Sequence, residues 1–319
     1  MKSKKLILSF ITISIIFAFI TFGCQNGLAE TQGTISLSLT DAPIADAADV
    51  EGVFITIDSI SYNLNDEWVE AADFEGPMEF NLLELTGGEV APLADTPIAA
   101  GTVSQIRFML SAPEEGTQSD GNPGCYILID PDGTADGVDD DDVQHALFVP
   151  SGGQTGYKAT GEFTVPANGT VEITADFDVR KSVVETGNDS YILKPTIRLI
   201  VNNQAGNITG DFTPDSADAY DSYIIFAYED GAYDSSEATA ADTESAPFPN
   251  AVASGNAVDS DDDSALDSYT VAFLAAGTYD LIVAGVAEDG SYTVVSETDY
   301  ADVEVVSEED TTQNIGLTQ

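Results

Sequence analysis

In TISLSLTDAP, Ile35, Leu37 and Leu39 fall on one parity while Ser36, Ser38 and Thr40 fall on the other. A period of two marks a half-buried strand, and Asp41-Ala42-Pro43 ends it. VFITIDSISYNL keeps the period but changes phase: Val53, Ile55 and Ile57 share one parity, whereas Ile60, Tyr62 and Leu64 share the other. A one-residue slip inside a strand predicts a β-bulge near Asp58-Ser59. Further strands are predicted at Glu67–Ala71, Glu79–Leu85, Ser104–Ser111, Tyr126–Asp130, Ala146–Val149, Tyr157–Val165, Thr170–Val179 and Tyr191–Val201. Short strands at this spacing, punctuated by Gly, Pro and Asp, predict a sandwich or barrel.

After Val201 the texture changes. NNQAGNITG reads as a polar joint, and the apolar runs Tyr223–Tyr228, Tyr269–Leu274, Thr278–Ala284, Tyr292–Val295 and Val303–Val306 form a second set of strands. The pattern as a whole predicts an all-β protein with two β-sandwich domains, 33–202 and 203–319.

Charge complicates this picture. The 319 residues carry 9 Lys+Arg against 56 Asp+Glu, a formal charge of −47. Such a surface repels nucleic acid, which excludes DNA binding. Solubility in salty surroundings and cation binding both explain the excess of acid. The apolar content of 43% argues against disorder.

The first residues supply an address. Lys2, Lys4 and Lys5 precede an apolar run from Leu6 to Phe22, and Phe22-Gly23-Cys24 then resembles a lipobox. Residues 1–23 read as a lipoprotein signal peptide, and Cys24 as the lipidated N-terminus of the mature chain. Thr21 stands where Leu is usual. Acyl chains on Cys24 predict a membrane partner, and two or more of them give stable anchoring. Gln25 resembles an outer-membrane sorting signal of a Gram-negative bacterium. The tether, 24–32, spans at most roughly 28 Å beyond the cysteine. Cleavage would take the charge from −47 to −50, since three Lys are lost with no acid. Cys125 is then the remaining cysteine, which excludes a disulfide framework and predicts a small buried hydrophobe.

Most of the remaining cations crowd into DFDVRKSVVETGNDSYILKPTIRLI. Val171, Ile173, Ala175, Phe177 and Val179 alternate with Glu172, Thr174, Asp176 and Asp178, and Arg180 continues the polar row. The return strand puts Lys194, Thr196 and Arg198 on one face. Pairing across a hairpin sets Arg198 opposite Asp176 or Asp178, so Asp176, Asp178, Arg180, Lys194 and Arg198 form an expected cross-strand charge ladder. Pro195 places the return strand at an edge or a bulge.

LTDAP, VPSGGQTGYK, and DFDVRKSVV followed by YILKPTIRLI resemble, in order and spacing over Gly33–Val201, the domain of unknown function family 4382. That resemblance implies a β-rich domain of secreted or lipid-anchored proteins and carries no activity over to this chain. ITG at Ile208–Gly210 and LAAGTYDLIVAG resemble carboxypeptidase-regulatory-like and transthyretin-like sandwiches.

Candidate chemistry is sparse. DPDGTADGVDDDD offers Asp130, Asp132, Thr134, Asp136 and Asp140 as calcium ligands around a glycine turn. Val143 stands at the twelfth position where a bidentate Glu belongs, so a solvated acidic loop reads equally from the same residues. DSDDDSALD reads as a solvated loop. His145 is the single histidine; zinc needs further ligands, and a triad with Ser151 lacks a nucleophile elbow. Trp68 with Tyr62 suggests a sugar platform, although a lone strand Trp belongs more often to a core. The expectation is a non-enzymatic envelope lipoprotein, with no catalytic residues and no cofactor. Its expected partners are the membrane and a surface protein or glycan. A calcium-dependent binder and, further off, a hydrolase using His145 are the alternatives.

Overall fold

The structure, a computed structural model, describes residues 31–42, 50–111, 124–130, 142–150, 155–186, 190–215, 220, 222–238, 247–260, 265–287, 290–297 and 299–317. Residues 32–319 form one compact unit. The fold is all-β and contains two mixed sheets.

The first sheet begins with β1 (Gln32–Asp41), β2 (Val50–Leu64), β3 (Glu67–Glu70), β4 (Met78–Asn81), β5 (Ala91–Ala99) and β6 (Gly101–Leu110). It continues with β7 (Tyr126–Ile129), β8 (Val143–Phe148), β9 (Tyr157–Val165) and β10 (Thr170–Phe177). A single helical turn, α1 (Val179–Ser182), precedes β11 (Val183–Glu185), β12 (Tyr191–Leu193) and β13 (Ile197–Val201). The spatial order is β11-β12-β8-β7-β2-β6-β9-β13-β10-β1-β5, with β3 and β4 also on β2. The register shift between Ile57 and Ser59 is the bulge that the phase change predicts. It lets Val53, Ile55 and Ile57 share one core with Ile60, Tyr62 and Leu64, all of them buried.

Three departures from the predicted strands have local causes. β5 carries Pro92 and Pro97, which hide it from a strand reading; it lies at the end of the sheet, where a missing N–H costs no ladder bond. The Glu79–Leu85 strand stops at Asn81, whose side chain accepts the Leu83 N–H and caps a 3₁₀ turn. The Tyr191–Val201 strand breaks around Pro195. β13 lies inside the sheet between β9 and β10, so of the two expected arrangements, an edge or a bulge, the edge is excluded. The break is stitched instead by Ser182, whose carbonyl accepts Lys194 N–H at 2.7 Å and whose hydroxyl accepts Thr196 N–H at 2.9 Å.

The second sheet comprises β14 (Ala205–Thr213), β15 (Ser222–Glu229), β16 (Ala253–Val258), β17 (Ser268–Ala275) and β18 (Gly277–Val286). β19 (Tyr292–Ser296), β20 (Val303–Val305), β21 (Asp310–Thr312) and β22 (Ile315–Gly316) complete it. The order is β19-β18-β15-β16-β17-β14-β21, with β20 on β18 and β22 on β14. The expected polar joint is therefore largely strand: AGNITGDFT is β14. β15 and β18 bury both faces. Ile225, Leu281 and Val283 enter one core, and Ile224, Phe226 and Ile282 enter another beneath Phe248 and Ala251.

Candidate functional site

Arg180, Lys181 and Arg198 converge where the two sheets meet. β10 alternates as its sequence predicts, but its outward row is covered toward the end, where Thr174, Asp176 and Asp178 are all buried. Asp176 faces Arg198 across the β10–β13 ladder. The Arg198 Nε and Nη2 groups reach Asp176 Oδ2 at 3.2 and 2.8 Å. Beyond Phe177 the strand curls into α1, so Asp178 and Arg180 leave the ladder. Their pairing is local and fork-to-fork, with Nε–Oδ1 at 3.0 Å and Nη2–Oδ2 at 2.9 Å. Lys181, absent from the expected ladder, joins the same carboxylate at 3.1 Å. Lys194 is exposed and lies outside the ion pairs among the described residues.

Two of these cations cross to the second sheet. Lys181 Nζ donates to the Ala251 carbonyl at 3.0 Å, and the Arg180 guanidinium sits 5.3 Å from the Phe226 ring centroid. Arg180 is nearly sealed, its side chain 4% exposed. Asp41, from the end of β1, accepts the Val179 N–H on Oδ1 at 3.0 Å and so holds the start of α1. Next to it, the Thr40 hydroxyl reaches the Leu85 and Glu89 carbonyls at 3.0 and 2.8 Å. These bonds fix the turn carrying Gly87 and Gly88, both at positive φ. A Cβ on Gly88 would stand 3.3 Å from the Ala272 Cβ of β17, so a residue without a side chain suits this close approach.

Electrostatics follows the geometry. Arg180 and Lys181 hold Asp178 below the usual carboxylate range, against the burial that opposes them. Asp41 goes the other way: burial pushes its carboxyl well up, and the charges of Asp176 and Asp178 add to this. For Asp176, burial raises the carboxyl while Arg198 pulls it down. The sequence shows the opposite charges, but its alternation puts them on an outward face. What meets Lys181 and Arg180 there, Ala251 and Phe226, is distant in sequence. Besides Lys181, the sequence pattern misses Asp41 in this cluster. Its signal is an acid at a strand end within a motif, a position the alternation treats as a stop.

Cys24, Asp132, Thr134, Asp136, Asp140 and Ser151 lie outside the described residues. Asp130 is buried at the end of β7. His145 packs edge-on against Tyr191, 5.5 Å between centroids. Cys125 is buried, and burial pushes its thiol up to about 12; it stays neutral and weakly nucleophilic. Asp267 accepts the Ser260 N–H and hydroxyl at 3.0 and 2.8 Å. Trp68 is not a core residue: it is 36% exposed with the Arg107 guanidinium 3.8 Å from its ring centroid, while Tyr62 is fully buried. β3 pairs along the outside of β2, which leaves the indole at the surface. Among the described residues no helix is long and apolar enough to cross a membrane.

A family profile described as "Domain of unknown function (DUF4382)" matches residues 32–195, just over half of the chain. The chain belongs to the DUF4382 family. The DUF4382 region ends between Asp178 and Arg198, so the seam lies at the C-terminal boundary of that region. The LTDAP and DFDVRKSVV stretches lie side by side in that region, with Thr40 opposite Asp176, Asp41 opposite Phe177 and the Val179 N–H bonded to Asp41. None of the curated proteins matches the chain. Among solved structures, the chain is similar to a leucine-rich repeat protein from Bacteroides thetaiotaomicron at 11% identity and a TM-score of 0.22. That match covers 90% of this chain and 26% of the other. The Bacillus anthracis TIE protein matches at 12% identity and a TM-score of 0.19, covering 89% and 34%. BcpA, the major pilin subunit of Bacillus cereus, matches at 8% identity and a TM-score of 0.21, covering 90% and 71%. The chain thus spans about a quarter and a third of the first two.

Proposed function

We propose that this protein is a lipid-anchored component of the bacterial envelope that works by binding or by mechanical presentation, without catalysis. One observation carries the reading: the charged groups brought together by the fold are taken up at its own seam, where Lys181 and Arg180 reach across to the second sheet. Arg180, Lys181 and Arg198 are taken up by Asp178, Asp176 and the Ala251 carbonyl. Supporting it, the Cys125 thiol is buried and the His145 ring is packed on Tyr191. In this reading Cys24 carries the acyl chains, residues 24–32 form the tether, and 33–202 and 203–319 are two sandwich domains. The second of these resembles a carboxypeptidase-regulatory-like module, and the target is a surface protein or glycan.

The test uses the full chain expressed in a Gram-negative host. The wild type is expected in the outer-membrane fraction with acyl mass on residue 24, and Cys24→Ala in the soluble fraction. A broad ester and glycoside panel should show no turnover above the His145→Ala background. Turnover that falls with His145→Ala would overturn the non-catalytic reading; a wild type without acyl mass would overturn the anchor.

A further inference from the structure

A small cleft opens beside the seam, with room for a single water-sized group. Three of the residues that line it each carry a buried oxygen without a hydrogen-bond partner: Asp41 Oδ2, Asp176 Oδ1 and Ser254 Oγ. They come from the two sheets, the carboxylates from β1 and β10 and the hydroxyl from β16. Leaving a buried oxygen unpaired is costly, and more so when it is charged, so their gathering in one cleft demands a shared donor. The charge allocation around them indicates what that donor is. Asp178 holds Arg180 and Lys181, and Asp176 holds Arg198. Asp41 receives the Val179 backbone N–H, and the Asp176 and Asp178 charges stand against it. The other walls, from the Gly87-Gly88 turn and from Ala272 and Phe273 of β17, add no charge. A divalent cation fits poorly, because calcium takes six to eight oxygens and the Arg198 guanidinium already stands on Asp176.

We propose that Asp41 keeps a proton in the folded protein and donates it from Oδ2 across the cleft to the Asp176 carboxylate, directly or through one water, so that a shared proton ties the ends of the neighbouring strands β1 and β10 together at the seam. The two carboxyl groups then behave as one titrating pair. Ionising Asp41 sets two carboxylates against each other at the seam and loosens it. This latch is independent of what the protein binds.

Linkage gives the sign. Asp41 is raised above the ordinary 3.8, so its stabilisation is complete below that value and is lost as pH rises toward the folded value. Asn mimics the protonated carboxyl: it accepts the Val179 N–H and donates to Asp176. Thermal melting of the mature chain, in chelator and across mildly acidic to mildly alkaline pH, should place Asp41→Asn level with the wild type near pH 3.8. The variant should then gain on the wild type as pH rises, by about 2–4 °C for each roughly fivefold change in the folding equilibrium. Asp41→Ala, lacking both acceptor and donor, should melt below the wild type throughout. Infrared spectra of the wild type at neutral pH should show a protonated-carboxyl band that Asp41→Asn removes. The proposal is overturned if Asp41→Asn melts below the wild type at alkaline pH, or if the band is missing. It is equally overturned if calcium or sodium raises wild-type melting and Asp41→Asn abolishes that rise.

Discussion

Asp178→Ala is expected to lower stability by about 3–5 kcal/mol, because it leaves Arg180 buried without a counter-ion and removes a partner of Lys181. Chemical denaturation at neutral pH would measure it. The size follows from burial: exposed ion pairs contribute about 0–1 kcal/mol, whereas the Arg180 side chain is 4% exposed. Adding Arg180→Met to Asp178→Ala should restore part of the loss, since an apolar side chain of similar length suits the Phe226 face better than an unpaired charge. The pH dependence has the opposite sign to that of Asp41. Asp178 is held low, so its stabilisation is full above the ordinary carboxylate value of 3.8 and is lost as pH falls through its folded value. A loss under about 1 kcal/mol would mean that the pair is solvated.

Phe226→Ala should cost a comparable amount, about 3–5 kcal/mol. Phe226 is fully buried, stacks on Phe248 at 4.1 Å and carries Arg180 on its ring. Truncation empties the small core between β15, β18 and the Phe248 segment, and it removes an aromatic surface that receives α1. Phe148→Ala serves as the contrast. Phe148 is 37% exposed, and a surface change of this kind stays within about 0.5 kcal/mol. Equal losses for the two variants, read from denaturation midpoints at constant slope, would deny the second core its role at the seam.

What the sequence discloses is set by range. The bulge at Asp58 is legible because parity is a local property, and the shift between Ile57 and Ser59 appears where the phase changes. The pairing of Asp176 with Arg198 is legible for the same reason: a hairpin return is short, and opposite charges fall on matching faces. β5 escapes because prolines suppress the strand signal, and nothing nearby says that this strand is an edge. β16, ASGNAV, escapes because its residues are small; Gly255 belongs there since β17 backbone approaches too closely for a side chain. The seam escapes because its outward-reading polar row is buried by contacts about seventy residues away, Lys181 with Ala251. Alternation predicts which residues share a face, not what covers the face.

Scarce cations join two sheets into one body, and calorimetry of the mature chain tests this most directly. A single transition, with calorimetric and van't Hoff enthalpies in agreement, is the expected result for the wild type, and Asp178→Ala should split it in two. Two separate transitions in the wild type, unmoved by Asp178→Ala, would contradict it.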